Sequence, residues 1–330
     1  MTDPVLRIEN LTVEIRTRTG VAPVIDDLSF RVDTGRTLAL VGESGCGKSM
    51  TALAIMGLLP RGIGRIVRGS ILLGAEDLAT TSPARMRSIR GNEIGMIFQE
   101  PMTSLNPVYS VGEQISEVLR AHQGMGRKAA WSMAIELLDA VHIPNPSLRV
   151  SDYPFQMSGG QRQRVMIAIA LACRPRVLIA DEPTTALDVT VQAQIFDLLK
   201  DLQRDTGTAI ILITHDMGAV TEMADEMIVM YAGRMAEAGP VEAVISRPRH
   251  PYTRGLISCV PHLGAIVDDD RPLLTEIPGI VPGLGQFGQD RCLFASRCEL
   301  SDSHCRSARP AAYAITDGHS AACWQAGGAA

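Results

Sequence analysis

The chain has 330 residues and a formal net charge of −5; 46% of its residues are hydrophobic but only 4% are aromatic. That length suits one large or two modest domains with an aliphatic core, and the acidic balance argues against a general nucleic-acid binder. No apolar run reaches the roughly 18 residues of a membrane span, and Met1-Thr2-Asp3-Pro4 opens no secretory signal, so a cytosolic chain is expected.

Near residues 5–32 an antiparallel β element is expected. Leu38-Ala39-Leu40-Val41 then reads as a short buried parallel strand. It runs into Gly42-Glu43-Ser44-Gly45-Cys46-Gly47-Lys48-Ser49, and Met50–Met56 continues with helical character. Strand, Gly-x-x-x-x-Gly-Lys-Ser and helix together are what a phosphate-cradling loop requires. The glycines let backbone N–H groups point at phosphates, and the new helix adds its positive end. Lys48 would supply a point charge and the Ser49 hydroxyl a ligand for Mg²⁺. Cys46 reads as a small filler, because nothing beside it could serve as a partnering base. The basic clusters at Arg61–Arg68 and Arg85–Arg90 read as solvated faces rather than docking patches.

Gln99 follows the strand-like Ile94-Gly95-Met96-Ile97-Phe98, where a neutral amide can sense Mg²⁺ or water without adding charge. Helical spacing covers Val111–His122 and Ala129–Val141, with no good strand between them, so a helical subdomain at about 100–172 is expected. Ser158-Gly159-Gly160-Gln161 opens a long helix, Gln161–Cys173, whose N-terminus would face a second phosphate site. Two phosphate elements so far apart in one chain are most economically used by a pair of domains, each offering the second element to its partner's nucleotide.

Val177-Leu178-Ile179-Ala180 is another buried strand, ending in Asp181-Glu182. A carboxylate there can reach Mg²⁺, which suits Asp181, while Glu182 can polarise a water as general base. Ile210-Ile211-Leu212-Ile213-Thr214 is a third strand, with His215 at its end. A lone histidine at a strand end is commonly structural, but the sheet would bring this one beside Asp181-Glu182, at γ-phosphate distance. Pro240, Pro248, Pro251 and Pro261 punctuate the start of a last region. In it Cys292, Cys298, Cys305 and Cys323 stand at spacing C-x5-C-x6-C-x17-C, whereas Cys46, Cys173 and Cys259 are scattered. Disulfides are not expected in a cytosolic chain, and four thiolates suit either Zn²⁺ or an iron–sulfur cluster.

With these residues in place, the chain resembles the ATP-binding subunits of ABC transporters from about residue 5 to about residue 325. Walker A falls at 42–49, the glutamine loop at Gln99, the signature at 158–162, Walker B at 177–182, the D-loop at Ala186-Leu187-Asp188 and the switch histidine at His215. Three stretches narrow the resemblance to the dipeptide/oligopeptide importer ATPases, nearest the dipeptide type: Gln99–Pro107, Asp181–Thr190 and Arg249-His250-Pro251-Tyr252-Thr253.

That resemblance implies an ATPase subunit that uses ATP and Mg²⁺ to energise peptide import, with nickel or glutathione as alternative cargo. A soluble ABC-type ATPase of DNA repair or translation is the rival, but this chain has one cassette and no sustained heptads. The implied cis site holds ATP with residues 42–49, Asp181 and Gln99, and Mg²⁺ with Ser49, Gln99 and Asp181. Ser158, Gly159, Gly160 and Gln161 would complete the partner's site, and Asp188 would communicate across the interface. The implied fold is an α/β ABC-type nucleotide-binding domain over 1–235, with its antiparallel β element and helical subdomain, followed by a small Cys-rich domain over 236–330. Cys292-Leu293-Phe294-Ala295-Ser296-Arg297-Cys298 matches the C-terminal signature of this class, and the resemblance implies a 4Fe-4S cluster, with Zn²⁺ as the alternative. The implied partners are two transmembrane permease subunits, a second homologous ATPase subunit in a heterodimer and, indirectly, an extracytoplasmic substrate-binding protein, with no nucleic acid. The implied location is peripheral, on the cytoplasmic face of the inner membrane. Two positions depart from the family pattern. The signature begins with Met157 instead of Leu, and Thr12–Thr17 offers no aromatic to stack on adenine, leaving an apolar side chain such as Ile15.

Overall fold

A computed structural model describes residues 4–18, 20–99, 104–184, 189–259, 276–316 and 318–326. In chain order, β1 (Leu6–Thr17), β2 (Gly20–Val32), β4 (Gly64–Leu73) and β5 (Glu76–Asp77) form an antiparallel sheet in the order β2-β1-β4-β5. β4 carries Arg65 and Arg68 of the first basic cluster. Arg65 pairs with Glu14 on the neighbouring β1, and Arg68 reaches across β1 to Asp27 on β2. Exposed cross-strand pairs of this kind contribute little each, but they fix register.

The second sheet is built around five parallel strands: β3 (Thr37–Val41), β6 (Ile94–Ile97), β7 (Val177–Asp181), β8 (Ala209–Ile213) and β9 (Glu226–Tyr231). β10 (Arg234–Pro240), β11 (Tyr313–Thr316) and β12 (His319–Ala321) extend it antiparallel, giving the order β11-β12-β10-β9-β3-β8-β7-β6. β3, β7 and β8 are buried at every position, as their unbroken aliphatic runs require of strands covered on both faces. Alternate residues serve different cores. Val177 and Ile179 pack towards the antiparallel sheet, while Leu178 and Ala180 pack towards the helices.

α1 (Lys48–Ile55) and α2 (Pro83–Ile89) lie in the first half. α3 (Val111–Gln123), α4 (Arg127–Ala140) and the single turn α5 (Pro146–Arg149) precede α6 (Gly159–Leu171). The helices expected over Val111–His122, Ala129–Val141 and Gln161–Cys173 thus form within two residues of those bounds. Ile115 and Leu119 on α3, Ala134 and Leu138 on α4, and Val165 on α6 meet in one core. α7 (Val189–Thr206) and α8 (Met217–Met223) cover the sheet, and α9 (Val241–Ser246), α10 (Pro251–Ser258) and α11 (Ser303–Ser307) belong to the C-terminal stretch. Among the described residues no helix is long and apolar enough to cross a membrane.

The C-terminal stretch corrects one expectation, since a separate small domain organised by its cysteines is not supported. β10 runs straight through residue 236, and its partner β12 is drawn from near the end of the chain. Tyr252, Phe287, Leu293 and Phe294 share a core with Val41, Val229 and Tyr231. The segment is short of apolar residues because it borrows the wall of the parallel sheet.

Candidate nucleotide site

The strand order fixes the site before any side chain is considered. β7 lies between β8 and β6, so the residues leaving its carboxyl end are flanked by those leaving the other two. Ligands of open α/β sheets bind at that edge. Glu182, just past β7, accordingly sits between Gln99 and His215. Its Oε2 accepts from Gln99 Nε2 at 2.9 Å, and its Oε1 lies 3.2 Å from His215 Nδ1. The backbone there is left-handed, φ +49°, and the Glu182 N–H donates to Ile213 O at 2.8 Å. The Glu182 side chain is 14% exposed and that of His215 68%.

The loop 42–49 follows β3 directly. Gly42, Gly45 and Gly47 all have positive φ, and a Cβ on Gly42 would stand 2.3 Å from the Met230 carbonyl oxygen. Only glycine fits there. Lys48 is buried, and its ammonium donates to the carbonyls of Gly42 at 2.7 Å and Glu43 at 3.1 Å. Ser49 Oγ donates to Asp181 Oδ1 at 3.2 Å, joining the loop to the end of β7. Burial raises the Asp181 carboxyl above its ordinary range, partly offset by the Ser49 hydrogen bond. Ser49 and Asp181 with the Gln99 amide make an oxygen donor set of the hard kind that suits Mg²⁺. Cys46 is buried 3.7 Å from the Lys48 nitrogen, and burial pushes its thiol up, consistent with a packed filler.

Ser158 caps α6. Its Oγ accepts from the Gln161 N–H at 3.3 Å, while Gln161 Oε1 accepts from the Ser158 N–H at 3.0 Å. This reciprocal capping box leaves Ser158 and Gly159 exposed at a helix start, presenting a dipole end to whatever approaches. Along the same helix, buried Gln163 donates to the Pro183 carbonyl, tying α6 to the turn after Glu182. Met157 is buried in the helical core, as its apolar character predicts. Asp188 lies outside the described residues, as do residues 100–103 of the stretch 99–107.

Two residues of this neighbourhood were missed as site residues. The Tyr252 hydroxyl accepts from the Glu43 N–H at 2.8 Å, and Arg297 forks onto the Glu43 carboxylate at 2.7 and 2.9 Å. Rarity was the available signal. In a chain with 4% aromatics, Tyr252 and Phe294 both come from the C-terminal part and pack at an angle against Tyr231.

The four late cysteines are neighbours. Cys292 N–H donates to Cys305 O at 3.0 Å, and the Cys292 thiol, pushed up to about 11 mainly by burial, also feels Cys305, Cys323 and Cys298. Nevertheless, among the described residues no three His, Cys, Asp or Glu side chains stand close enough to hold one metal ion. A tetrahedral zinc, which draws all its thiolates onto one centre, does not fit this arrangement. The His304 ring packs edge-on against Trp324 at 4.1 Å.

Residues 25–185 match the ABC transporter family, and residues 236–305 match the C-terminal region of oligopeptide/dipeptide transporters. Two relatives from Brucella abortus, provisionally named peptide import ATP-binding proteins, are 49% and 48% identical. The first alignment covers 98% of this chain and 98% of the relative, the second 98% and 95%. Among solved structures, the dimeric post-hydrolysis ATP-binding cassette MJ0796 bound to ADP and Pi superposes with a TM-score of 0.65 at 25% identity, covering 72% of this chain and 98% of that one. CbiO1 from Clostridium perfringens, part of an ABC transporter complex, gives 0.62 at 26% identity, covering 74% and 92%.

Proposed function

Because this chain belongs to the ABC transporter ATP-binding family, we propose that it is the ATP-hydrolysing subunit of an importer that takes up di- or oligopeptides. The observation that carries the enzymatic half is Glu182, held at both oxygens by Gln99 and His215 beside Lys48, Ser49 and Asp181. The peptide half is supported by the match over residues 236–305 and by the names of the relatives.

In this reading the loop 42–49 receives the phosphates on its inward backbone N–H groups, and Lys48 exchanges its two carbonyl partners for phosphate oxygens. Ser49, Asp181 and Gln99 would hold Mg²⁺, which when bound screens charge on the phosphates. Glu182 takes the proton of the attacking water, with His215 and Gln99 orienting its carboxylate. Ser158, Gly159, Gly160 and Gln161 complete the site of a second, homologous ATPase subunit, and Asp188 carries communication across that interface. The helical subdomain transmits closure to two transmembrane permease subunits, which an extracytoplasmic binding protein supplies. The chain then sits peripherally on the cytoplasmic face of the membrane.

Glu182→Gln should keep Mg–ATP binding and lower turnover by at least about a hundredfold. Near-normal hydrolysis would remove Glu182 from the role of base. Reconstitution with the permease and the second ATPase should give ATP-dependent peptide uptake; nickel or glutathione uptake instead would reassign the cargo.

Cys292, Cys298, Cys305 and Cys323 are proposed to bind a 4Fe-4S cluster. The electrostatic influence of Cys305, Cys323 and Cys298 on the Cys292 thiol supports it, because four thiolates in one neighbourhood can each serve one iron. Iron, sulfide and zinc analysis after anaerobic purification tests this. One zinc without iron, or no metal, would overturn it.

A further inference from the structure

Glu43 is the only acidic residue in the loop 42–49, an odd charge to place where phosphates bind. Its partner comes from the far end of the chain. Arg297 forks onto it through both Nη atoms, and the Arg297 side chain is 3% exposed against 26% for Glu43. The other donors of the guanidinium are also committed: Nε to Pro278 O at 2.9 Å, Nη2 to Ile277 O at 3.1 Å and Nη1 to the Tyr231 hydroxyl at 3.4 Å. The guanidinium also lies 5.8 Å from the ring centres of both Tyr231 and Phe294. Its rotamer is therefore fixed by packing, and the fork has one place to point. Tyr252 fixes the same loop residue from the backbone side. The Glu43 carbonyl in turn accepts from Lys48, so one loop residue links Arg297 to the phosphate-binding ammonium.

We propose that Arg297 is a positioning residue for the phosphate loop, neutralising Glu43 and drawing its carboxylate towards the C-terminal stretch, so that this stretch sets the affinity of the loop for ATP. The inference rests on the loop 42–49 being an ATP site. It differs from a plain structural staple in its sign. Removing Arg297 leaves an unpaired anion beside the phosphates, whereas removing both charges leaves none.

The test is Mg–ATP titration of the full chain by calorimetry, with steady-state ATPase kinetics and thermal melting alongside. Arg297→Met should raise the Kd for Mg–ATP about tenfold and move KM more than kcat. Adding Glu43→Gln to it should bring the Kd back to within about threefold of the native chain. Arg297→Lys, which keeps the charge but loses the fork, should fall between. An unchanged Kd in Arg297→Met, or a double variant as weak as the single one, would overturn the proposal. Should Arg297→Met not fold, Arg297→Lys decides: a Kd raised at least about threefold supports the fork as the positioning contact, and a native Kd overturns it. Failure of the native chain to bind Mg–ATP, with Lys48→Ala indistinguishable from it, would instead sink the ATP reading.

Discussion

The Met230 carbonyl oxygen stands 2.3 Å from where a Cβ on Gly42 would sit, and the Val24 carbonyl 2.9 Å from that of Gly47. Backbone from β9 and β2 thus walls the loop on two sides, and neither wall can retreat without opening a sheet. Gly42→Ala should destabilise the chain by more than about 2 kcal/mol and abolish ATP binding, as read by urea denaturation and nucleotide titration. His250 offers a pH test away from the nucleotide. Its ring is wholly buried among Tyr252 and Phe294, and its Nδ1 accepts the Tyr252 N–H. Glu237 on β10 accepts the His250 backbone N–H at 2.9 Å and pairs with His319. Burial lowers the His250 pKa from 6.5 to about 4. Between those values the unfolded chain binds the proton that the folded chain refuses, so stability is lost as pH falls from 6.5 towards 4. The loss should total about 3 kcal/mol. His250→Asn keeps an acceptor for the Tyr252 N–H, and unfolding measured across pH 4–7 should lose that acid slope.

At the level of elements, α6 works at both ends of its first two turns. Its capping box presents Ser158 outward, while Gln163 reaches back to Pro183. Ser158→Ala should cost the helix about 1 kcal/mol. In a Glu182→Gln background it should also weaken ATP-dependent dimerisation on size-exclusion chromatography, and unaltered dimerisation would take Ser158 out of the interface. The helices and the parallel strands were legible because their signals are local. Aliphatic runs ended in Gly, Asp-Glu or Thr-His, and Ser158 with Gln161 spelled a capping box in sequence. β4 left no such signal. Its Arg-rich Gly64-Arg65-Ile66-Val67-Arg68 alternates around partners on other strands, Glu14 and Asp27, which no local pattern announces. His215 beside Glu182 was legible, because both end aliphatic strands of one sheet, whereas Gln99 on the other side, 83 residues away, needed the strand order.

On the scale of the molecule, the C-terminal stretch was the least legible part. Its composition reads as a satellite, yet β10 and β12 add it to the sheet and Arg297 reaches a loop residue 254 positions earlier. Contacts of that range carry no periodicity to read. The exposed cap of α6 gives the whole chain an expected concentration dependence. Specific ATPase activity should rise with protein concentration and rise further when the homologous subunit is added, whereas a flat profile would mean each chain hydrolyses alone. The grip of Gln99 and His215 on Glu182 adds a last consequence. One contact on each oxygen leaves further lone pairs open, so the two anchors aim the carboxylate without blocking it. If Glu182 is the proton acceptor, losing either anchor would leave it charged but unaimed, a fault of direction and not of chemistry.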